Sequence, residues 1–152
     1  MTDGAESRKI TATAEWVAQY TAGPILTLTF AGYYPPGSAG NECAAEMVSY
    51  CFSVLITANP AAVLFDLRRL EYTWGDAIGD WRMCCCRDGA ARLRKGAARA
   101  LPSAIVADGA TARSLRPLIG THTVLGVAGT KMFSTTPEAL NYLKRVLEQE
   151  TG

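Results

Sequence analysis

The sequence predicts an α/β domain, a mixed sheet of four to six strands with about four helices in the order ββαβαβαβα. Three observations lead there. Short apolar runs alternate with stretches of helical periodicity along the whole chain. One run, Ile25-Leu26-Thr27-Leu28-Thr29-Phe30, alternates strictly between apolar and polar, as a half-buried strand does. The C-terminal stretch carries its own start signal, Thr135-Thr136-Pro137-Glu138, ahead of an amphipathic run.

Taken in order, residues 1–9 are polar and charged and read as a flexible leader, leaving 10–150 as the domain. Ile10 to Tyr20, with Thr, Ala, Trp16 and Val17, suits a strand or half of a hairpin, and Ala22-Gly23-Pro24 is a turn. The alternating strand 25–30 follows, with Leu26, Leu28 and Phe30 on one face. Gly32-Tyr33-Tyr34-Pro35-Pro36-Gly37-Ser38 reads as a loop, and Asn41 as the cap of the next helix. On that helix Ala44, Met47, Val48, Cys51, Phe52 and Leu55 make one apolar stripe, which Asn59-Pro60 ends. Ala62-Val63-Leu64-Phe65 is a short strand buried on both faces and closed by Asp66, with Leu67 to Thr73 as a connection.

A second helix is expected from about Gly75 through Ile78, Trp81, Met83 and Cys85, continuing toward Arg99 against the cost of Gly89 and Gly96. Ser103 to Asp108 is another buried strand, Gly109 to Ile119 a short helix, and Val124 to Ala128 with Met132-Phe133 a last strand or two. In the final helix, Thr135 or Thr136 is the cap, Pro137 suits the first position and Glu138 the positive end, while Leu140, Leu143, Val146 and Leu147 face inward.

Composition removes several classes of function. The chain has 152 residues, enough for one domain with a sizeable core. Fifteen basic residues against 14 acidic ones leave a net charge of +1, too little to draw nucleic acid or an anionic membrane. The five cysteines are odd in number and three are consecutive, which suits a reducing, cytoplasmic setting better than a disulfide framework. Met47 to Phe65 carries no formal charge, but Ser49, Ser53, Thr57 and Asn59-Pro60 argue against a membrane span.

With the central strand Ala62-Val63-Leu64-Phe65-Asp66-Leu67, the later strand 103–108 and the ending Phe133-Ser134-Thr135-Thr136-Pro137-Glu138-Ala139-Leu140, the chain resembles the STAS family and its SpoIIAA-like relatives. The resemblance covers roughly residues 10–150 and implies a regulatory module that binds a protein partner. Antagonist members of that family carry an Asp-Ser-Ser-Gly turn before the second helix and are phosphorylated on the second serine. An ungapped count from Asp66 puts Trp74, Gly75, Asp76 and Ala77 there, with no hydroxyl at that position. A serine switch therefore does not carry over.

The residues expected to meet a partner are Tyr72, Thr73, Trp74 and Asp76 around the exit of the central strand, with Tyr33 and Tyr34 from the first loop. The plainer alternative packs Trp74 on the second helix and makes Asp76 its cap. Cys84-Cys85-Cys86 lacks the spacing that lets thiolates converge on a metal, and no metal or other cofactor is expected. The basic run from Arg82 to Arg99 reads as a solvated helix face. His122 is the one histidine and has neither a nucleophile elbow nor an identified partner, and no glycine pattern marks a nucleotide site. No enzyme is expected. Two alternatives to the partner-binding reading stay open, a SEC14-like carrier of a small apolar, lipid-like ligand and a toxin-neutralising immunity-type protein, and the aromatic loop permits a homodimer without requiring one.

Overall fold

A computed structural model describes residues 10–17, 23–72, 102–121 and 131–151. The described strands form one mixed sheet in the order β1-β2-β3-β4-β5. The strands are β1 (Thr11–Val17), β2 (Ile25–Tyr34), β3 (Ala62–Tyr72), β4 (Ser103–Val106) and β5 (Lys131–Phe133). The helices are α1 (Asn41–Ala58), α2 (Gly109–Thr121) and α3 (Thr136–Thr151), with a short 3-10 turn at Gly37–Gly40. β1 and β2 are antiparallel and β2 through β5 are parallel, so the α/β class and the strand number agree with the sequence reading. The expected leader 1–9, the expected helix from Gly75 to Arg99, and the segment Val124 to Ala128 lie outside the described residues.

The sheet separates two apolar layers. Leu26, Leu28, Phe30, Val63, Phe65 and Ile105 face α1 and α2, meeting Met47, Cys51 and Leu55 of the first and Ala112 and Leu115 of the second. Ile25, Ala62, Leu64, Ala104 and Val106 face α3, whose Ala139, Leu143 and Leu147 cover them. The central strands are therefore apolar on both sides, as parallel strands between helix layers must be. Of the expected inward face of α3, Leu143 and Leu147 are buried, while Leu140 and Val146 are half-buried.

Two neighbouring strands, β2 and β3, are longer than local composition suggests. β2 does not stop at Phe30, and Gly32-Tyr33-Tyr34 is not loop: these residues pair with Leu70, Glu71 and Tyr72. A parallel ladder supplies hydrogen bonds that override their turn-like composition. Gly32 holds φ at 122°, a value that favours glycine.

Asp66 likewise does not close β3, and Leu67 to Tyr72 is strand rather than connection. Thr29 pairs with Asp66 and Ala31 with Arg69, so Leu67 and Arg68 together stand opposite Phe30. That extra residue is a β-bulge, and it shifts the inward positions from Val63, Phe65 and Leu67 to Leu70 and Tyr72.

Helix ends follow two rules. Asn59, at φ 49°, ends α1 in the left-handed conformation and donates its N–H to Leu55 O at 2.9 Å, as the Asn-Pro signal predicted. Asn41 is not a side-chain cap: it is the first residue of α1, the cap position is Gly40, and no side chain bonds there. The 3-10 turn runs straight into the helix, and the Asn41 N–H is taken by Ser38 O, leaving the Asn41 side chain no capping role. At α3, Thr135 Oγ1 accepts the Glu138 N–H at 3.5 Å and donates to Glu138 Oε1 at 2.7 Å. Thr135 is therefore the cap, and Pro137 sits at the second helical position.

Candidate functional site

Four parallel strands finish on one side of the sheet, where ligands and partners of open α/β folds generally meet the molecule. Tyr34 and Tyr72 end β2 and β3 in direct register. Both rings are buried, at 0% and 2% exposure, and meet edge-to-face with centroids 5.3 Å apart and planes at 70°. The backbone closes over this pair at Gly40, where a β-carbon would fall on the Tyr34 ring and on the Pro35 carbonyl. Tyr33 alternates to the other side of β2 and is half-buried.

The exit of β3 is tied to the start of α2 by Thr111. Its hydroxyl donates to Leu70 O at 2.6 Å and accepts the Tyr72 N–H at 3.4 Å. Apart from the tyrosines, Thr111 and Ser103 are the buried polar side chains among the described residues. These bonds take up strand-end backbone groups and hold the last described residue of the strand against the first turn of the helix. Nothing in the local sequence 109–121 marked Thr111, because its partners lie 39 and 41 residues away.

Just before this exit, Asp66 clamps the bulge. Its Oδ1 accepts the Arg68 backbone N–H at 3.2 Å, and the Arg68 guanidinium grips both carboxylate oxygens, Nε to Oδ1 at 2.9 Å and a terminal nitrogen to Oδ2 at 2.8 Å. The extra residue of the bulge thus donates its N–H to a side chain rather than to β2. Burial pushes the Asp66 carboxyl upward, but the Arg68 hydrogen bonds and the charges of Arg68 and Arg69 outweigh it and hold the group below its ordinary value.

Beside the exit, the ends of β4 and β5 and the first turns of α2 and α3 enclose an open groove of about 520 Å³. Asp108, Arg113, Arg116 and Glu138 bring both signs of charge to it, and Met132 and Phe133 bring apolar surface. A lining with four charged side chains suits polar contact better than an apolar ligand.

No family model matches the sequence, and no curated protein matches it. A counterpart exists in structure: the crystal structure of an anti-sigma factor antagonist from Mycobacterium paratuberculosis. The two superpose with a TM-score of 0.54 at 17% identity, over 90% of this chain and 96% of that one. The fold is STAS-like. At that identity the likeness is one of architecture, and it agrees with the family resemblance seen in the strand and helix motifs.

Within the STAS-like fold the predicted site residues divide into two groups. Tyr34 and Tyr72 come together, but as interior packing beneath the rim, so neither ring presents a contact surface itself. Tyr33 stands beside them with partial exposure. Thr73, Trp74 and Asp76, the Cys84-Cys85-Cys86 run, the basic run from Arg82 to Arg99 and His122 lie outside the described residues. Of the cysteines that are described, Cys51 is in the core and Cys43 is half-buried. Burial, with Glu46 and Glu42 nearby, pushes the Cys43 thiol up, which keeps it in its less reactive protonated form. Among the described residues no group of three side chains could hold a metal, and no helix is long and apolar enough to cross a membrane.

Proposed function

We propose that this chain is a non-enzymatic regulatory module that binds an anti-sigma-factor-type protein through the rim where β2 and β3 end. The observation that supports it is the match, over nearly the full length of both chains, to a protein that is itself an anti-sigma factor antagonist. In this reading Tyr33, Thr73, Trp74 and Asp76 make the contact, and buried Tyr34 and Tyr72 with Thr111 are its rigid footing. In this reading the partner is held without a serine switch, supported by the ungapped count from Asp66 that puts Trp74-Gly75-Asp76-Ala77 at the antagonist turn. Asp76 there bears about one negative charge permanently, against nearly two for a phosphoserine. A soluble compartment shared with the transcription machinery is the setting such a module requires.

Pairwise titration calorimetry against the anti-sigma factors of the source organism tests the proposal. The unmodified chain is expected to bind one of them, and Trp74→Ala with Asp76→Arg to weaken that binding at least ~100-fold, the loss typical of a central aromatic anchor with a reversed charge. Binding left unchanged by the double substitution, or no binding to any of them, overturns it.

A further inference from the structure

Among the described strands, the two edges of the sheet are guarded very differently. β5 is three residues long and carries Lys131, whose ammonium lies 5.3 Å from the Tyr142 ring centroid; a short, charged edge resists pairing with another chain. β1 is seven residues long, Thr-Ala-Thr-Ala-Glu-Trp-Val, with no proline, no basic residue and a continuous seven-pair register on β2. Among the described residues it pairs with β2 alone. An edge of that length with an unbroken register is a template for a further strand.

The side chains say which strand fits. Ala12, Ala14 and Trp16 pair with Phe30, Leu28 and Leu26, so they share the α1 face of the sheet. Trp16 is 51% exposed, one of the two large apolar side chains described as exposed. A two-fold axis normal to the sheet at Ala14 would set β1 antiparallel to β1 of a second copy along its full length. Thr11 would then face Val17, Ala12 would face Trp16, Thr13 would face Glu15, and Ala14 would face itself. Each indole would lie over the small side chains of Ala12 and Ala14 on the other copy, and no two like charges would stand opposite. Centring the axis on Glu15 instead opposes two carboxylates, which is unfavourable.

We propose that β1 is an interface for a second copy of this chain, joined edge to edge through Thr11–Val17 in the register centred on Ala14. The closed, isologous contact uses up the open edge on both copies. Because the axis reverses strand direction, the two rims formed by the ends of β2 to β5 point opposite ways, and both stay uncovered.

Sedimentation velocity of the full chain at rising concentration, together with two cysteine variants under mild oxidation, tests the register as well as the association. The chain is expected to dimerise, and Trp16→Lys to weaken the dimer at least ~tenfold. Ala14→Cys is expected to give a covalent dimer above the background of the unmodified chain. Glu15→Cys is expected not to, because in this register two such side chains are diagonal neighbours roughly 7–8 Å apart. Because the cross-linking variants leave Trp16 in place, they decide the register even if Trp16→Lys disturbs folding. A chain that stays monomeric at every concentration overturns the proposal. So does a dimer indifferent to Trp16→Lys, or cross-linking through Glu15→Cys as efficient as through Ala14→Cys.

Discussion

Asp66 shows how a residue that reads as a strand stop can instead keep a strand going. The bulge leaves the Arg68 N–H without a place in the β2 ladder, and Asp66 supplies the acceptor. Its carboxyl titrates below the ordinary value, so the sign of its pH effect follows directly. A depressed carboxyl contributes stability that is complete above the unfolded value of about 3.9 and is lost as pH falls through the lower folded value. Asp66→Asn is therefore expected to lower the melting temperature near neutrality, with the gap to the unmodified chain closing toward pH 3. A gap that stays constant across that titration would show that the charge is not what matters. Thr111 makes the second case. Thr111→Val keeps the shape but removes the hydroxyl from Leu70 O and the Tyr72 N–H. With both backbone groups buried, the expected cost in urea denaturation is about 1–3 kcal/mol. Thr57→Val serves as the control, since the Thr57 hydroxyl bonds only to Ser53 O on an exposed turn of α1.

Elements were legible where a local signal and the tertiary partner agreed. The Thr135–Glu138 cap and the Asn59 stop both work within one helical turn, and both ends fall where the residues indicated. Replacing Thr135 with Ala is expected to cost α3 about 1 kcal/mol by chemical denaturation, with Glu138→Ala on the same background adding little because the two form one motif. Legibility failed where the partner was remote. Arg68 and Arg69 break the alternation that began at Val63, and the inward phase returns only at Leu70 and Tyr72. A window reading sees the strand end there, because an inserted residue flips the phase of everything after it. The same limit hid the site's footing. Gly32-Tyr33-Tyr34-Pro35-Pro36 has turn composition, yet its tyrosines belong to a ladder whose partner residues lie 38 positions later. Aromatic residues beside prolines suggested surface contact, whereas Tyr34 is buried with Tyr72 in the core that α1 and α2 share.

For the whole molecule, β3 is the element on which both layers depend. Phe65 belongs to the core beneath α1 and α2, and Leu64, its neighbour, belongs to the core beneath α3. A domain of this kind stands only about 5–15 kcal/mol above its unfolded state. Truncating Phe65 to Ala is expected to cost roughly 3–5 kcal/mol, and truncating Leu64 to Ala roughly 2–5 kcal/mol. Since one backbone carries both side chains, neither layer can melt by itself without taking the shared strand with it. Each variant is therefore expected to unfold in a single transition, with far-ultraviolet circular dichroism and tryptophan fluorescence tracing the same curve at a lower denaturant midpoint. If Leu64→Ala produced an early transition in one signal and left the other at its original midpoint, the α3 layer would be a separable unit. In that event a partner held at the β2–β3 rim could not feel changes on the far face of the sheet.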